Sequence, residues 1–183
     1  VDAIAISAND RDALVPITKK AMKAGIKVIS FDSGISKDGR MVDLVPSKED
    51  LIGRQQVQLI AELIGKKGEI AILSATSQAT NQNAWIGWMK EELKKPEYSQ
   101  MKLVATVYGD DLSDKSYREA LGLFESYPNL RGIISPTTVG VAAAGKAIED
   151  KGLKGKVELT GLGLPSEMKY YTEKDISRKF ALW

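Results

Sequence analysis

The 183-residue sequence predicts an α/β fold built on mainly parallel sheets. Three observations carry this. Short apolar runs alternate from end to end with segments of helical spacing, the pattern of successive βαβ units. Nearly every run stops at a polar or Gly/Pro-containing turn. The composition is that of an ordinary globular chain, 43% hydrophobic and 27% charged with only 6 Pro and 16 Gly, and leaves no room for a disordered or low-complexity reading.

The first run is AIAIS at 3–7, broken by Asn9-Asp10. Helical spacing follows, with Leu14, Ile17, Ala21 and Ala24 expected on the inward stripe. Pro16 suits a first turn, where its missing N–H has no partner to lose, and Gly25 suits a helix stop. KVISF at 27–31 ends at Asp32-Ser33-Gly34, and MVDLV at 41–45 ends at Pro46. The longest helix is predicted from about Lys48 to Ile64, with Ser47 as N-cap and Ile52, Leu59, Ile60 and Leu63 as its stripe.

The alternation then repeats. EIAIL at 69–73 leads through a Ser/Thr/Gln/Asn loop into a helix over about 82–94. LVATV at 103–107 leads to Gly109-Asp110-Asp111 and a helix in which Ser116 and Glu119 form a capping box, with Tyr117, Ala120, Leu121 and Phe124 inward. GIIS at 132–135 precedes Pro136-Thr137-Thr138 and an alanine-rich helix over 141–151. VELT at 157–160 precedes a short helix from about Ser166, and FALW at 180–183 reads as a last strand. Three strands before the long helix and five after it predict two units: residues 1–46 as part of a first lobe, 47–65 as a linking helix, and 66–183 as a second lobe. Strands at both extreme ends suggest a piece of a longer protein.

Function classes are narrowed by what is missing. The sequence has no His and no Cys, which excludes Ser-His-Asp and Cys-His nucleophilic sites, disulfides and the usual zinc sites. Net charge is +2, too balanced to point to nucleic acid or an anionic membrane. No apolar run approaches the ~20 residues of a membrane-spanning helix.

In parallel α/β sheets ligands bind beyond the carboxyl ends of the strands. The loops found there are Asn9-Asp10, Asp32-Ser33-Gly34, 74–83 (SATSQATNQN), Gly109-Asp110-Asp111, Pro136-Thr137-Thr138 and Leu162-Gly163-Leu164. They are rich in amides, hydroxyls and carboxylates and poor in Lys and Arg. That inventory suits a ligand covered in hydroxyls. A phosphate or dinucleotide would call for a Gly-rich loop with a basic residue, and neither fingerprint follows any strand. Plainer readings stand beside this one. Asp32 fits a turn cap, Thr80–Asn83 a helix N-cap cluster, and Pro136-Thr137-Thr138 a turn with a cap. Trp85 and Trp88 fit packing or a stacking platform for a sugar ring. Asp110, Asp111 and Asp114 fit an acidic first helical turn or a calcium or magnesium cluster.

The motifs VDAIAIS at 1–7, GIKVISFDS at 25–33, ATNQNAW at 79–85, YPNLRGIISP at 127–136 and KFALW at 179–183 resemble the sugar-type solute-binding proteins of bacterial ABC importers. The branch is that of ribose-binding protein, and within it the rhamnose-binding and autoinducer-2-binding proteins. The resemblance implies a type I periplasmic-binding-protein fold, two Rossmann-like lobes closing on ligand, with the start of the first lobe missing here. It implies that Asp32 grips ligand hydroxyls from the first lobe, that Asn81 and Gln82 hydrogen-bond from the second, and that Pro136 and Thr138 line the floor. Autoinducer-2 receptors usually carry Asp at position 81 and Ala at position 138, so Asn81 and Thr138 favour a deoxysugar such as rhamnose.

The expectation is therefore an extracytoplasmic monomer that hands a small sugar to a membrane permease, with no enzymatic activity, cofactor, metal or nucleic acid. The alternatives are an autoinducer-2 receptor and the effector core of a lactose-repressor-type regulator. A third is an enzyme pairing Asp32 with Asp110 or Asp111, whose carboxyls would need to lie ~5–9.5 Å apart.

Overall fold

The computed structural model describes residues 1–182. The alternation resolves into seven strands and six α-helices: β1 (Ala3–Ile6), α1 (Val15–Lys23), β2 (Lys27–Phe31), β3 (Val42–Leu44), α2 (Glu49–Ile64), β4 (Gly68–Ser74), α3 (Thr80–Leu93), β5 (Met101–Tyr108), α4 (Ser113–Ser126), β6 (Leu130–Ser135), α5 (Thr138–Asp150), β7 (Glu158–Gly161) and α6 (Pro165–Glu173). They form two sheets, one of order β1-β2-β3 and one of order β5-β4-β6-β7, and every pairing is parallel. The predicted last strand is reduced to a single parallel bridge between Leu162 and Ala181, and Trp183 lies outside the described residues.

The second sheet is sandwiched between helices, as an all-parallel sheet requires. The period-2 alternation of β4 divides the core: Ile70 and Ile72 face Ile60, Trp85 and Met89 of α2 and α3. Ala71 and Leu73 face Leu123, Ala144 and Ile148 of α4 and α5 on the other side. The helix over 49–64 thus packs on the second sheet, burying Ile52, Val57, Ile60, Ala61 and Ile64 there.

The first sheet is covered less. Val28 and Ser30 are wholly buried, but Phe31, Val42 and Leu44 are exposed. The stripe expected for α1 faces outward: Ile17 is 59% exposed and Leu14 37%, whereas Thr18 is buried. Thr18 turns inward because its hydroxyl satisfies itself on the Val15 carbonyl at 3.1 Å. Leu14, Ile17 and Ala21 then line an open apolar concavity with Ile4 and Ile6 of β1.

Three capping expectations are not met. The N-cap positions of α2, α3 and α4 are Lys48, Ala79 and Leu112, and none makes a side-chain cap bond. Ser47 falls one residue too early. The Thr80–Asn83 hydroxyl and amides lie inside the first turn of α3, free to point elsewhere. Ser116 sits a turn into α4 and is buried, because Gly109 packs on it so closely that a Cβ there would lie 2.0 Å from Ser116 Oγ.

Candidate functional site

The carboxyl ends of β1, β2, β4, β5 and β6 converge on one cavity of about 240 Å³ between the two sheets. Asp32, Asn81, Gln82, Pro136 and Thr138, which come from three separate loops of the sequence, all line it. Ser7, Asn9, Ser33, Trp85, Asp111 and Thr137 join them, and neither Lys nor Arg is among the lining residues.

Asp32 caps the end of β2 in the left-handed region, at φ 57. Asp tolerates that conformation better than most residues, and it is held there by its own N–H donating to the Leu44 carbonyl at 3.1 Å. Its carboxylate accepts from Ser7 Oγ at 3.0 Å and from Asn81 Nδ2 at 3.3 Å. Asn81 Oδ1 accepts from the Gln82 N–H at 2.7 Å, which fixes which end of the amide faces Asp32.

Gln82 is buried, and its orientation is decided by a backbone donor. Ala75 N–H can meet only an acceptor, so Oε1 takes it at 2.8 Å and takes Ser74 Oγ at 2.6 Å. The Nε2 group is then the end left for the cavity. On the far wall Thr137 Oγ1 donates to Asp111 Oδ1 at 2.5 Å, and Asp111, like Asp110, stands in the left-handed region at φ 53. The hydroxyl read as a possible cap therefore orients a carboxylate instead. Asp110 turns away to pair with Lys115 at 2.6 Å. Among the described residues no group of three or more potential ligands gathers for a metal, so Asp110, Asp111 and Asp114 form no cation cluster.

Two tryptophans three residues apart divide their work. Trp85 is buried, contributing both to the core under β4 and to the cavity wall. Trp88 is at the surface, with the Arg54 guanidinium 4.9 Å from its ring centre.

Hydrogen bonds cross from the loops of the first sheet to those of the second, among them Thr76 Oγ1 to the Asn9 carbonyl at 2.7 Å, Thr80 Oγ1 to the Gly34 carbonyl at 2.6 Å, and Asn81 to Asp32. A larger groove of about 870 Å³ lies beside them, lined by Arg11, Asp12, Asp38, Arg40, Glu49 and others. Arg11 and Asp12 both bond Ser36 within it, and Asp38 pairs with Lys19. The smaller cavity, at the strand ends, is the candidate site.

A family model described as a periplasmic binding protein domain matches residues 1–183. The chain belongs to that family. Its likeness to the sugar-binding components of ABC importers, carried in the sequence by FDS and TNQNAW, holds at this level. A solute-binding protein of an ABC transporter from Clostridium phytofermentas, solved with bound L-rhamnose, is 43% identical with a TM-score of 0.95, over 100% of this chain and 58% of that one. The D-ribose/D-allose-binding protein of Pseudomonas aeruginosa is 26% identical over 168 residues, covering 88% of this chain and 51% of its own length. LsrB from Clostridium saccharobutylicum, solved with AI-2, shares the fold at a TM-score of 0.93 and 22% identity, over 59% of its length. The chain thus spans about half the length of the curated relatives it matches. As a periplasmic binding protein domain it falls among binding proteins rather than enzymes.

Asp111 lies in a strand-end loop that the sequence points to, but it is not among the expected ligand contacts, because its acidic neighbours make a helix-start explanation sufficient. Sequence reading also missed Ser7, which meets Asp32 only after the two strands pair. The position of both at strand carboxyl ends was the available signal.

Proposed function

We propose that this periplasmic binding protein domain closes on a single neutral sugar and presents it to the permease of an ABC importer outside the cytoplasm, acting as a monomer. A 6-deoxyhexose such as L-rhamnose is the favoured ligand. The observation that carries the reading is the cavity lining: amides, hydroxyls and the carboxylates of Asp32 and Asp111. Carboxylates accept from vicinal hydroxyls, and the Gln82 and Asn81 amides donate to ring and hydroxyl oxygens. At about 240 Å³ the space is below the ~300–1,000 Å³ typical of drug-sized ligands and suits one sugar ring.

In this reading Asp32, Asn81 and Gln82 hold the ligand from two sides, and Pro136 and Thr138 form the floor. Trp85 supplies an apolar surface for the ring's C–H face. The sugar takes over the bonds that Asp32 and Asn81 make to each other, so closing around it leaves no buried group unpaired. Support for L-rhamnose over AI-2 comes from the 43%-identical relative solved with L-rhamnose and from Asn81 and Thr138 themselves.

Calorimetric titration of the full-length protein with L-rhamnose, D-ribose and AI-2 tests this. Heat and a single-site isotherm with L-rhamnose are expected. Binding of AI-2 alone would reassign the ligand, and binding of none would overturn the sugar reading.

A further inference from the structure

Ser33 is 6% exposed and lines the same cavity as Asp32, and its Oγ is shut off from solvent without a hydrogen-bond partner. Its neighbours are already committed. The Ser33 carbonyl accepts from Ala8 N–H at 2.9 Å, Ser7 Oγ is spent on Asp32, and Ser30 Oγ on Asp43. A buried hydroxyl left unsatisfied in an otherwise well-paired loop is uncommon and stands at a disadvantage until something supplies a partner. Among the described residues the other such atom is Gln56 Oε1; it lies inside α2, where its own Nε2 bonds the Ile52 carbonyl at 3.2 Å, and it lines none of the cavities above.

We propose that Ser33 Oγ is a specificity-determining group of the cavity, completed by a hydroxyl of the bound sugar next to the one gripped by Asp32. The inference rests on the sugar-binding reading above and deepens it. A serine hydroxyl both donates and accepts, so it accommodates either sense of hydrogen bond but not a C–H group. A ligand with no oxygen at that place leaves Ser33 as unsatisfied as it is in the empty cavity. A site built to bond a hydroxyl therefore rejects the analogue that lacks it more strongly than a merely apolar pocket would. Asp32 contributes grip on any hydroxyl-bearing ligand; Ser33 selects among them.

The test is Ser33→Ala in the full-length protein, titrated calorimetrically with L-rhamnose and D-ribose and melted without sugar. The expected result is about a tenfold loss of affinity for the sugar the unsubstituted protein binds best. The sugar-free unfolding midpoint should be unchanged or higher, because alanine buries no orphan oxygen. Unchanged affinity would overturn the inference and leave the sugar reading intact. An affinity loss matched by a lowered sugar-free midpoint would overturn it in favour of a structural role. Failure of the unsubstituted protein to bind any sugar in the panel overturns the sugar reading, and this one with it.

Discussion

Asn81 donates its Nδ2 to Asp32 Oδ1 at 3.3 Å, joining the first turn of α3 to the end of β2 across the gap between the two sheets. A neutral amide and the Ser7 hydroxyl, rather than a cation, are the partners of this carboxylate. Both are groups that a sugar hydroxyl can replace at little cost, since one hydrogen bond is exchanged for another of similar strength.

Asp32→Asn removes the charge while keeping a residue that tolerates φ 57. Hydrogen bonds to charged groups contribute about 1.5–3 kcal/mol, so sugar affinity should fall ~10- to 100-fold with the circular dichroism melt almost unchanged. An unaltered dissociation constant would remove Asp32 from the site.

Thr80→Val deletes the bond to the Gly34 carbonyl without changing a residue of the cavity lining. The loss of about 0.5–1.5 kcal/mol should fall on the closed form. Stopped-flow measurements are expected to show sugar release ~2- to 10-fold faster. An unchanged release rate would mean that this bond does not hold the sheets together.

Glu92 predicts an acid sensitivity. Its side chain is fully buried, which pushes the carboxyl up, but Lys95, Arg54 and Gln58 together outweigh burial and hold it at about 2, against 4.5 for a free glutamate. A carboxyl depressed in the folded state adds stability that is present above pH ~4.5 and lost as pH falls towards 2. The size is about 3 kcal/mol. The unfolding midpoint should drop between pH 5 and 2, and Glu92→Gln should flatten that part of the curve while lowering the midpoint at pH 7.

Gly53 marks where α2 crosses α3. A Cβ there would lie 2.4 Å from the Trp85 carbonyl oxygen and 2.5 Å from Trp88 Cβ. Alanine ordinarily favours a helix by about 1 kcal/mol over glycine, but a backbone atom at that distance cannot yield cheaply. Gly53→Ala should therefore lower stability by about 1–3 kcal/mol in urea titration, and shift Trp85 enough to weaken sugar binding. A stabilised variant would contradict the close crossing.

The strand–helix alternation was legible because each apolar run is short and each helix carries a stripe. Lys27–Phe31 is delimited in the structure as it reads in the sequence. Helix starts were less so. Ser47, Ser116 and the Thr80–Asn83 run are good capping residues by type, but Ser47 falls one residue early and tertiary demands took the others: Ser116 under Gly109, Thr80 across to Gly34, Asn81 to Asp32. The α1 stripe failed because an amphipathic pattern records which face is apolar, not whether anything covers it, and Leu14 and Ile17 stand open. At the cavity, rules about strand ends found the right loops. They could not say that Thr137 would turn Asp111 inward, or that Ser33 Oγ would be buried without a partner.

The most direct measurement is a crystal structure of the full-length protein grown with L-rhamnose. The account predicts sugar density within hydrogen-bonding distance of Asp32, Asn81 and Gln82, resting on Pro136 and Thr138. Density in the Arg11–Arg40 groove instead, or an empty cavity at saturating sugar, would contradict it.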